Sequence, residues 1–270
     1  MARVEVDGVG IHYEVTGEGR PVVLLHGFPD SGRLWRHQVP ALAEAGFKVI
    51  VPDLRGYGGS DKPGEVEAYH LAFVAGDVLA VLADAGEPKA HVVGHDFGAA
   101  VAWGLGSLTP DSVDHLVVLS VGFPSTFFGT LEQYQKSWYM LLFQFPGIAE
   151  RWLQENHWFN FKRWGRHPDA EAVIAELEAR GSLTPGLNYY RANLGPETWV
   201  GPPTQLPPVQ APTMGVWSTG DFALGEAQMT ESAQSVAGTW RYERLEGPGH
   251  WMQLEAPDQV NQLLLDFLPR

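Results

Sequence analysis

Short apolar runs set the strongest constraint on how this chain folds. VVLLHG, KVIVPD, HVVGHD, HLVVLS and MGVWSTGD each have the length of a strand, and helix-length stretches such as 69–85 and 97–108 lie between most of them. Runs that are apolar throughout, rather than alternating, belong to strands covered on both faces. The intervening stretches supply both the cover and the crossovers that parallel strands require, so the expected class is α/β with a mostly parallel central sheet flanked by helices. The opening segment RVEVDGVGIHYEV has a different rhythm: it alternates on either side of Asp7-Gly8, the pattern of a β-hairpin. In sheets of this class the chemistry gathers at the carboxyl ends of the strands, just past each apolar run.

One segment interrupts the alternation. Residues 124–208 carry 15 of the 31 aromatic residues and read as helices over LEQYQKSWYMLLFQF, IAERWLQENHWFNFKRW and DAEAVIAELEARG, followed by the Pro-rich GPPTQLPPVQAP. This is the pattern of a helical lid inserted between two strands, with the Pro-rich stretch as its return linker. The expected organisation is a core domain of 1–123 and 209–270 and a helical cap domain of 124–208. Most of the cap aromatics are expected to pack the lid onto the core rather than touch a ligand.

Composition removes several function classes. A net charge of -14 over 270 residues opposes binding to nucleic acid or anionic lipid. The absence of cysteine excludes disulfides, thiolate catalysis and cysteine-based metal sites. No apolar run approaches the ~20 residues needed to span a bilayer. The start, MARVEVDGVG, lacks the basic and apolar regions of a signal peptide, so the expected setting is the cytoplasm. The expected assembly is a monomer or a homodimer.

The stretch KAHVVGHDFGAAVAWGL concentrates the chemistry. Gly94-His95-Asp96-Phe97-Gly98 fits G-x-Nu-x-G between an apolar strand and a helix, a nucleophile elbow in which small flanking residues permit a sharp turn. The nucleophile position is Asp96, where serine is more usual. Such an elbow requires an acid and then a histidine later in the chain. Asp221 in WSTGDFAL and His250 in EGPGHWMQLEAPDQV each follow a strand-like run in that order. Taken alone, Asp221 also reads as a turn residue and His250 as a packed or capping residue; the order of all three carries the assignment. After VVLL, the pair His26-Gly27 suits a backbone donor, so the amides of Phe28 and Phe97 are the expected oxyanion hole. DLRGYGGSDKP, 53–63, lacks the spacing of a phosphate-binding loop and is expected to be a surface loop. His91 and His95 lie on a strand and its turn, not on one helical face, so no metal pair is expected there and no cofactor is implied.

These residues resemble the α/β-hydrolase superfamily across nearly the whole chain, and within it the epoxide hydrolases most closely. GHDFGA, HGFPD, DLRGYGGSDKP and GHWMQLEAPDQV all look like that family's counterparts. The resemblance implies an α/β-hydrolase fold with an inserted helical cap and a small-molecule epoxide as substrate. It also implies one tyrosine in each of two lid segments facing the substrate oxygen. SWYMLLFQFPGIAE gives Tyr139 for the first, and GLNYYRANL gives Tyr190 for the second, with Tyr189 as its neighbour and competitor. Lid packing is the other account of these tyrosines. Trp35, Trp138 and Phe143 are expected to line the substrate pocket.

Chemistry explains the aspartate. Serine attacking a saturated carbon would leave an ether, whereas aspartate leaves an ester that a histidine-activated water can cleave. An ordinary Asp with a pKa of about 3.9 is already ionised and needs no base, which frees His250 to activate water. Two alternatives use the same fold: a haloalkane or haloacid dehalogenase with the same Asp nucleophile, and a non-catalytic ligand-binding protein. Haloalkane dehalogenases typically carry Trp directly after the nucleophile, where this chain has Phe97. Fluoroacetate dehalogenases carry Arg there, and a His-Trp pair near the position of Tyr139-Met140; both features are missing here. An epoxide leaves as an alkoxide, which a phenol with a pKa near ~10 stabilises by hydrogen bonding and protonates at neutral pH.

Overall fold

The structure is a computed structural model and describes residues 2–270. Its centre is an eight-stranded sheet in the order β1-β2-β4-β3-β5-β6-β7-β8. The strands are β1 (Ala2–Val6), β2 (Val9–Thr16), β3 (Arg20–Leu25), β4 (Phe47–Pro52), β5 (Ala90–His95), β6 (Val113–Leu119), β7 (Thr213–Ser218) and β8 (Trp240–Leu245). β1 and β2 form the expected hairpin, pairing antiparallel with Val6 opposite Val9. Asp7 and Gly8 both take positive φ, as a tight two-residue turn between twisted strands requires. From β4 to β8 every neighbour pairs in parallel.

The helices of the sheet layers are α1 (Gln38–Glu44), α2 (Leu71–Asp84) and α3 (Phe97–Leu108). Between β6 and β7 come α4 (Leu131–Lys136), α5 (Trp138–Phe143), α6 (Ile148–Gly165), α7 (Ala170–Arg180) and α8 (Leu183–Asn193), after which α9 (Glu226–Thr230), α10 (Met252–Glu255) and α11 (Pro257–Phe267) complete the chain. Residues along β3 divide between two cores: Val23 and Leu25 pack with α2, α3 and the inserted helices, while Val22 and Leu24 pack with α1 and α11. This two-sided burial is what the unbroken apolar runs encode. Among the described residues no helix is long and apolar enough to cross a membrane.

Two expectations from the sequence need correction. The loop carrying DLRGYGGSDKP is not at the surface: Leu54, Arg55, Tyr57 and Ser60 are buried. Its backbone survives burial because Asp53 accepts hydrogen bonds from the amides of Gly32 and Gly59, both at 2.8 Å, and Arg55 forms a two-point pair with Asp77 at 2.6 and 2.7 Å. The second correction concerns the segment read as one helix, IAERWLQENHWFNFKRW. It is broken: Asn156, His157 and Trp158 take left-handed backbone angles in the middle of α6. The break shifts the phase of the helix, so the face presented by Phe161 and Trp164 does not follow from the periodicity of the first half.

Candidate active site

The strand order reverses direction between β3 and β5, and a crevice at their carboxyl ends follows from that topology. β3 delivers His26-Gly27-Phe28 and β5 delivers Asp96. The turn at Asp96 is tight: φ is 53° and ψ is -123°, an angle pair that side-chain-bearing residues avoid. The glycines make room for it. A Cβ on Gly98 would lie 2.1 Å from the Leu25 carbonyl oxygen, and one on Gly27 would lie 2.3 Å from Asp96 Oδ1. The bend holds the Asp96 side chain at the end of the sheet, at the start of α3.

Three groups converge on it. Phe28 N–H donates to Asp96 Oδ1 at 2.8 Å, so the amide expected in an oxyanion hole holds the resting carboxylate. His250 Nε2 lies 3.6 Å from Asp96 Oδ2, and its Nδ1 lies 3.0 Å from Asp221 Oδ2. The other oxygen of Asp221 accepts from the amides of Ala223 and Leu224 at 2.9 and 3.0 Å. Asp221 is therefore fixed at both oxygens, and it fixes the imidazole in turn. His95 Nε2 donates to the His250 carbonyl at 2.9 Å, tethering the loop that carries His250 from behind.

Charge follows geometry. Burial alone would push His250 down, but the carboxylates of Asp221 and Asp96 outweigh it and raise its pKa to about 10. Burial would push Asp96 up, but hydrogen bonding and attraction to His250 hold it below the usual carboxylate range, with Phe97 N–H contributing. Asp221 is likewise held low, by His250 and by its two amides against burial. The resting site is an imidazolium between two carboxylates. Burial raises Tyr139 and Tyr190 well above the ordinary phenol value, so both remain protonated donors at neutral pH.

A cavity of about 20 Å³ sits over Asp96 and His250. Tyr139 and Tyr190 line it together with Phe28, Pro29, Phe161, Trp164, Phe222 and Trp251. Tyr189 does not line it: its hydroxyl donates to the Arg55 carbonyl at 2.8 Å, inside the buried loop. One cavity thus holds an ionised carboxylate, an imidazolium with its acid partner and two phenols, a set suited to attack on carbon followed by hydrolysis.

A family profile described as alpha/beta hydrolase fold matches residues 20–257. The chain is 32% identical to Epoxide hydrolase 3 of Xenopus tropicalis, over 98% of this chain and 76% of that one. It is 31% identical to Epoxide hydrolase A of Mycobacterium tuberculosis, over 98% of this chain and 96% of that one. The crystal structure of a Bacillus megaterium epoxide hydrolase in complex with an inhibitor superposes with a TM-score of 0.90 at 26% identity, each chain covered in full at 100%. The chain belongs to the epoxide hydrolase family of the α/β-hydrolase fold.

Not every expected pocket residue of this epoxide hydrolase family member reaches the cavity. Trp35 is fully buried in the core on the α1 and α11 side of the sheet, since it closes the short helical turn Gly32–Trp35, which packs against β4. Trp138 is 47% exposed and faces an outer cleft. Phe143 is buried one layer behind the lining, with its ring 5.4 Å from that of Tyr139 and 5.0 Å from that of Tyr190. The residues that line the cavity instead include Phe222 and Trp251, which directly follow Asp221 and His250, and that adjacency was a usable signal. Trp164 and Phe161 had none, because the break in α6 intervenes. Asp30, in the HGFPD loop, is a further residue whose place no periodicity reveals. It is buried, accepts from Trp251 Nε1 at 2.9 Å and lies 3.2 Å from His167 Nε2, joining the HGFPD loop to the inserted segment beside the loop that carries His250.

At the opposite end of the sheet, ligand atoms of His91, Asp114 and His115 lie within 4.8 Å of one another. The Asp114 carboxylate there is already engaged by Arg20 at 2.5 Å and lies 3.8 Å from Lys89. Two cations on the one anionic ligand oppose a third.

Proposed function

We propose that this chain hydrolyses epoxides to vicinal diols in two steps through an ester on Asp96. One observation carries the reading: the elbow presents a carboxylate, not a hydroxyl, into a cavity that Tyr139 and Tyr190 also line. In the first step an Asp96 oxygen attacks a ring carbon and the carbon–oxygen bond of the epoxide breaks. The departing alkoxide takes a proton from Tyr139 or Tyr190, which regains one at the expense of the His250 imidazolium. In the second step neutral His250, oriented by Asp221, removes a proton from water as the water attacks the ester carbonyl. The oxyanion rests on the amides of Phe28 and Phe97. Collapse releases the diol and regenerates the Asp96 carboxylate and the His250 imidazolium, so the net reaction is epoxide plus water. The apolar and aromatic lining supports an apolar or aryl-bearing epoxide. The same reading divides the chain into a core of 1–123 and 209–270 that carries the nucleophile and water chemistry, and a cap of 124–208 that carries both phenols.

The test is mass spectrometry of protein incubated with styrene oxide, alongside an assay of diol. Wild type is expected to form diol, Asp96→Asn to form none, and His250→Gln to accumulate one covalent adduct on the peptide containing Asp96. A His250→Gln protein that turns over without an adduct defeats the two-step route. Halide release from haloalkanes or fluoroacetate faster than any diol formation reassigns the site to dehalogenation.

A further inference from the structure

The catalytic cavity, at about 20 Å³, holds roughly one water. Beside it lies a much larger cleft of about 440 Å³. Trp164 and Phe222 border both, with their rings edge to face at 5.8 Å, so the two spaces share a wall made of two side chains. If that wall parts, the two spaces become continuous and the outer cleft can hold the rest of a substrate whose ring lies over Asp96.

The lining of the outer cleft runs against the charge of the protein. The chain carries 32 acidic and 18 basic residues, yet Lys136, Arg163 and Arg166 converge here against a single acid, Glu132. Glu132 already lies 3.7 Å from Lys136. Lys136 also donates to the carbonyls of Asp221 and Leu224, at 2.6 and 3.3 Å. Among the described residues Arg163 and Arg166 have no carboxylate within salt-bridge distance, although neighbouring Lys162 finds Glu171 at 2.6 Å. Compensation of the α6 dipole accounts for basic residues in the last turn. It does not account for Arg166, which takes a left-handed backbone (φ 53°) at the position where helices favour glycine, and whose guanidinium lies 5.8 Å from the centre of the Phe222 ring. The arginine there is strained in its backbone, unpaired with any acid and set against the shared wall.

We propose that the outer cleft binds an anionic tail of the substrate: the epoxide enters past Trp164 and Phe222, and Arg163 and Arg166 hold a carboxylate or sulfonate on its far end. This rests on the epoxide reading for the ring but not for the tail. A guanidinium suits an oxyanion because it offers two parallel N–H donors to two of the anion's oxygens, in a carboxylate or a sulfonate alike. The Phe222 contact lets Arg166 report tail binding directly to the wall.

The test separates binding from turnover. Calorimetry would compare 4-(1,2-dihydroxyethyl)benzoate, its sulfonate counterpart and its methyl ester on the intact protein, and kcat/KM would be measured for the corresponding epoxides. Either anion is expected to bind about tenfold more tightly than the ester, the sum of two partly exposed charge contacts. That preference should shrink at about 0.5 M salt, where the screening length is roughly 4 Å. Arg163→Gln combined with Arg166→Gln should remove the preference while leaving kcat/KM for the ester epoxide within about twofold. Equal affinity of wild type for anion and ester, or a preference that survives the double substitution, overturns the proposal. Failure of every epoxide to turn over defeats the catalytic reading instead, and the calorimetric comparison still decides the subsite.

Discussion

Stability of this protein should depend on pH through His250, with a sign fixed by its surroundings. An unfolded histidine titrates near ~6.5, and in the folded chain the two carboxylates raise His250 to about 10. A group whose folded pKa exceeds its unfolded value contributes stability that is fully present below the unfolded pKa and is lost as pH rises through the folded one. Between about pH 6.5 and 10 the folded chain thus holds one proton more than the unfolded chain at this position. The unfolding free energy then falls by roughly 1.4 kcal/mol per pH unit, and over the whole window by on the order of 5 kcal/mol. The His250 side chain is only 4% exposed, so solvent screening removes little of this. Urea unfolding at about pH 7.5, 8.5 and 9.5 measures the slope, and the same series on His250→Gln supplies the reference, because the lysines and exposed tyrosines common to both proteins cancel in the difference. The wild type should lose roughly 1.4 kcal/mol per unit more than the variant. Equal slopes would mean that no imidazolium exists in the resting protein, and the charge pattern drawn around Asp96 would be wrong.

Two further outcomes are expected. Tyr139→Phe and Tyr190→Phe should each lower the rate of ester formation by about 10–100-fold and together by about 10³–10⁴-fold, while ester hydrolysis changes little; single-turnover kinetics on an epoxide with adduct detection separates the two. Asp53→Ala should destabilise the fold by roughly 1–3 kcal/mol in urea unfolding, since it removes the acceptor that the half-buried Gly32 amide and the Gly59 amide share.

Much of this architecture was legible because the forces that decide it act locally. The six parallel strands announce themselves through two-sided burial, and the hairpin through Asp7-Gly8. The elbow was readable because a tight turn between strand and helix demands small residues at fixed offsets from Asp96. What the sequence hid depends on long-range partners. The loop following β4 looks polar and glycine-rich, and its burial becomes tolerable through distant partners, Asp53 reaching Gly32 across 21 residues and Arg55 reaching Asp77 across 22. Trp35 and Trp138 carry the residue type of a pocket wall but lie on the wrong faces, one in the opposite core and one on an outer cleft, and composition is blind to faces. Trp164 was unreadable for a different reason. Three consecutive left-handed residues in α6 reset the helical phase, and no residue at 156–158 is the glycine that would have signalled it.

The geometry of His250 also solves a timing problem inherent in the proposed two-step reaction. Ring opening needs a proton source near the departing oxygen, and hydrolysis needs a base near water, yet one imidazole serves both steps. In the resting site His250 is an imidazolium because two carboxylates face it, Asp221 at 3.0 Å and Asp96 at 3.6 Å. In the proposed route, attack on the epoxide converts Asp96 into a neutral ester and deletes one of those charges. Two unit charges at that separation interact by roughly 5 kcal/mol at an effective dielectric constant of about 20, so the deletion lowers the imidazole's proton affinity by several orders of magnitude. Asp221 keeps its charge and its two backbone amides, so the ring stays oriented while its pKa falls toward the range of a useful base. One carboxylate therefore fixes the histidine and the other switches it. The switch is thrown by the chemistry of the first step alone, which is a physical reason for the nucleophile to be an anion and not a hydroxyl.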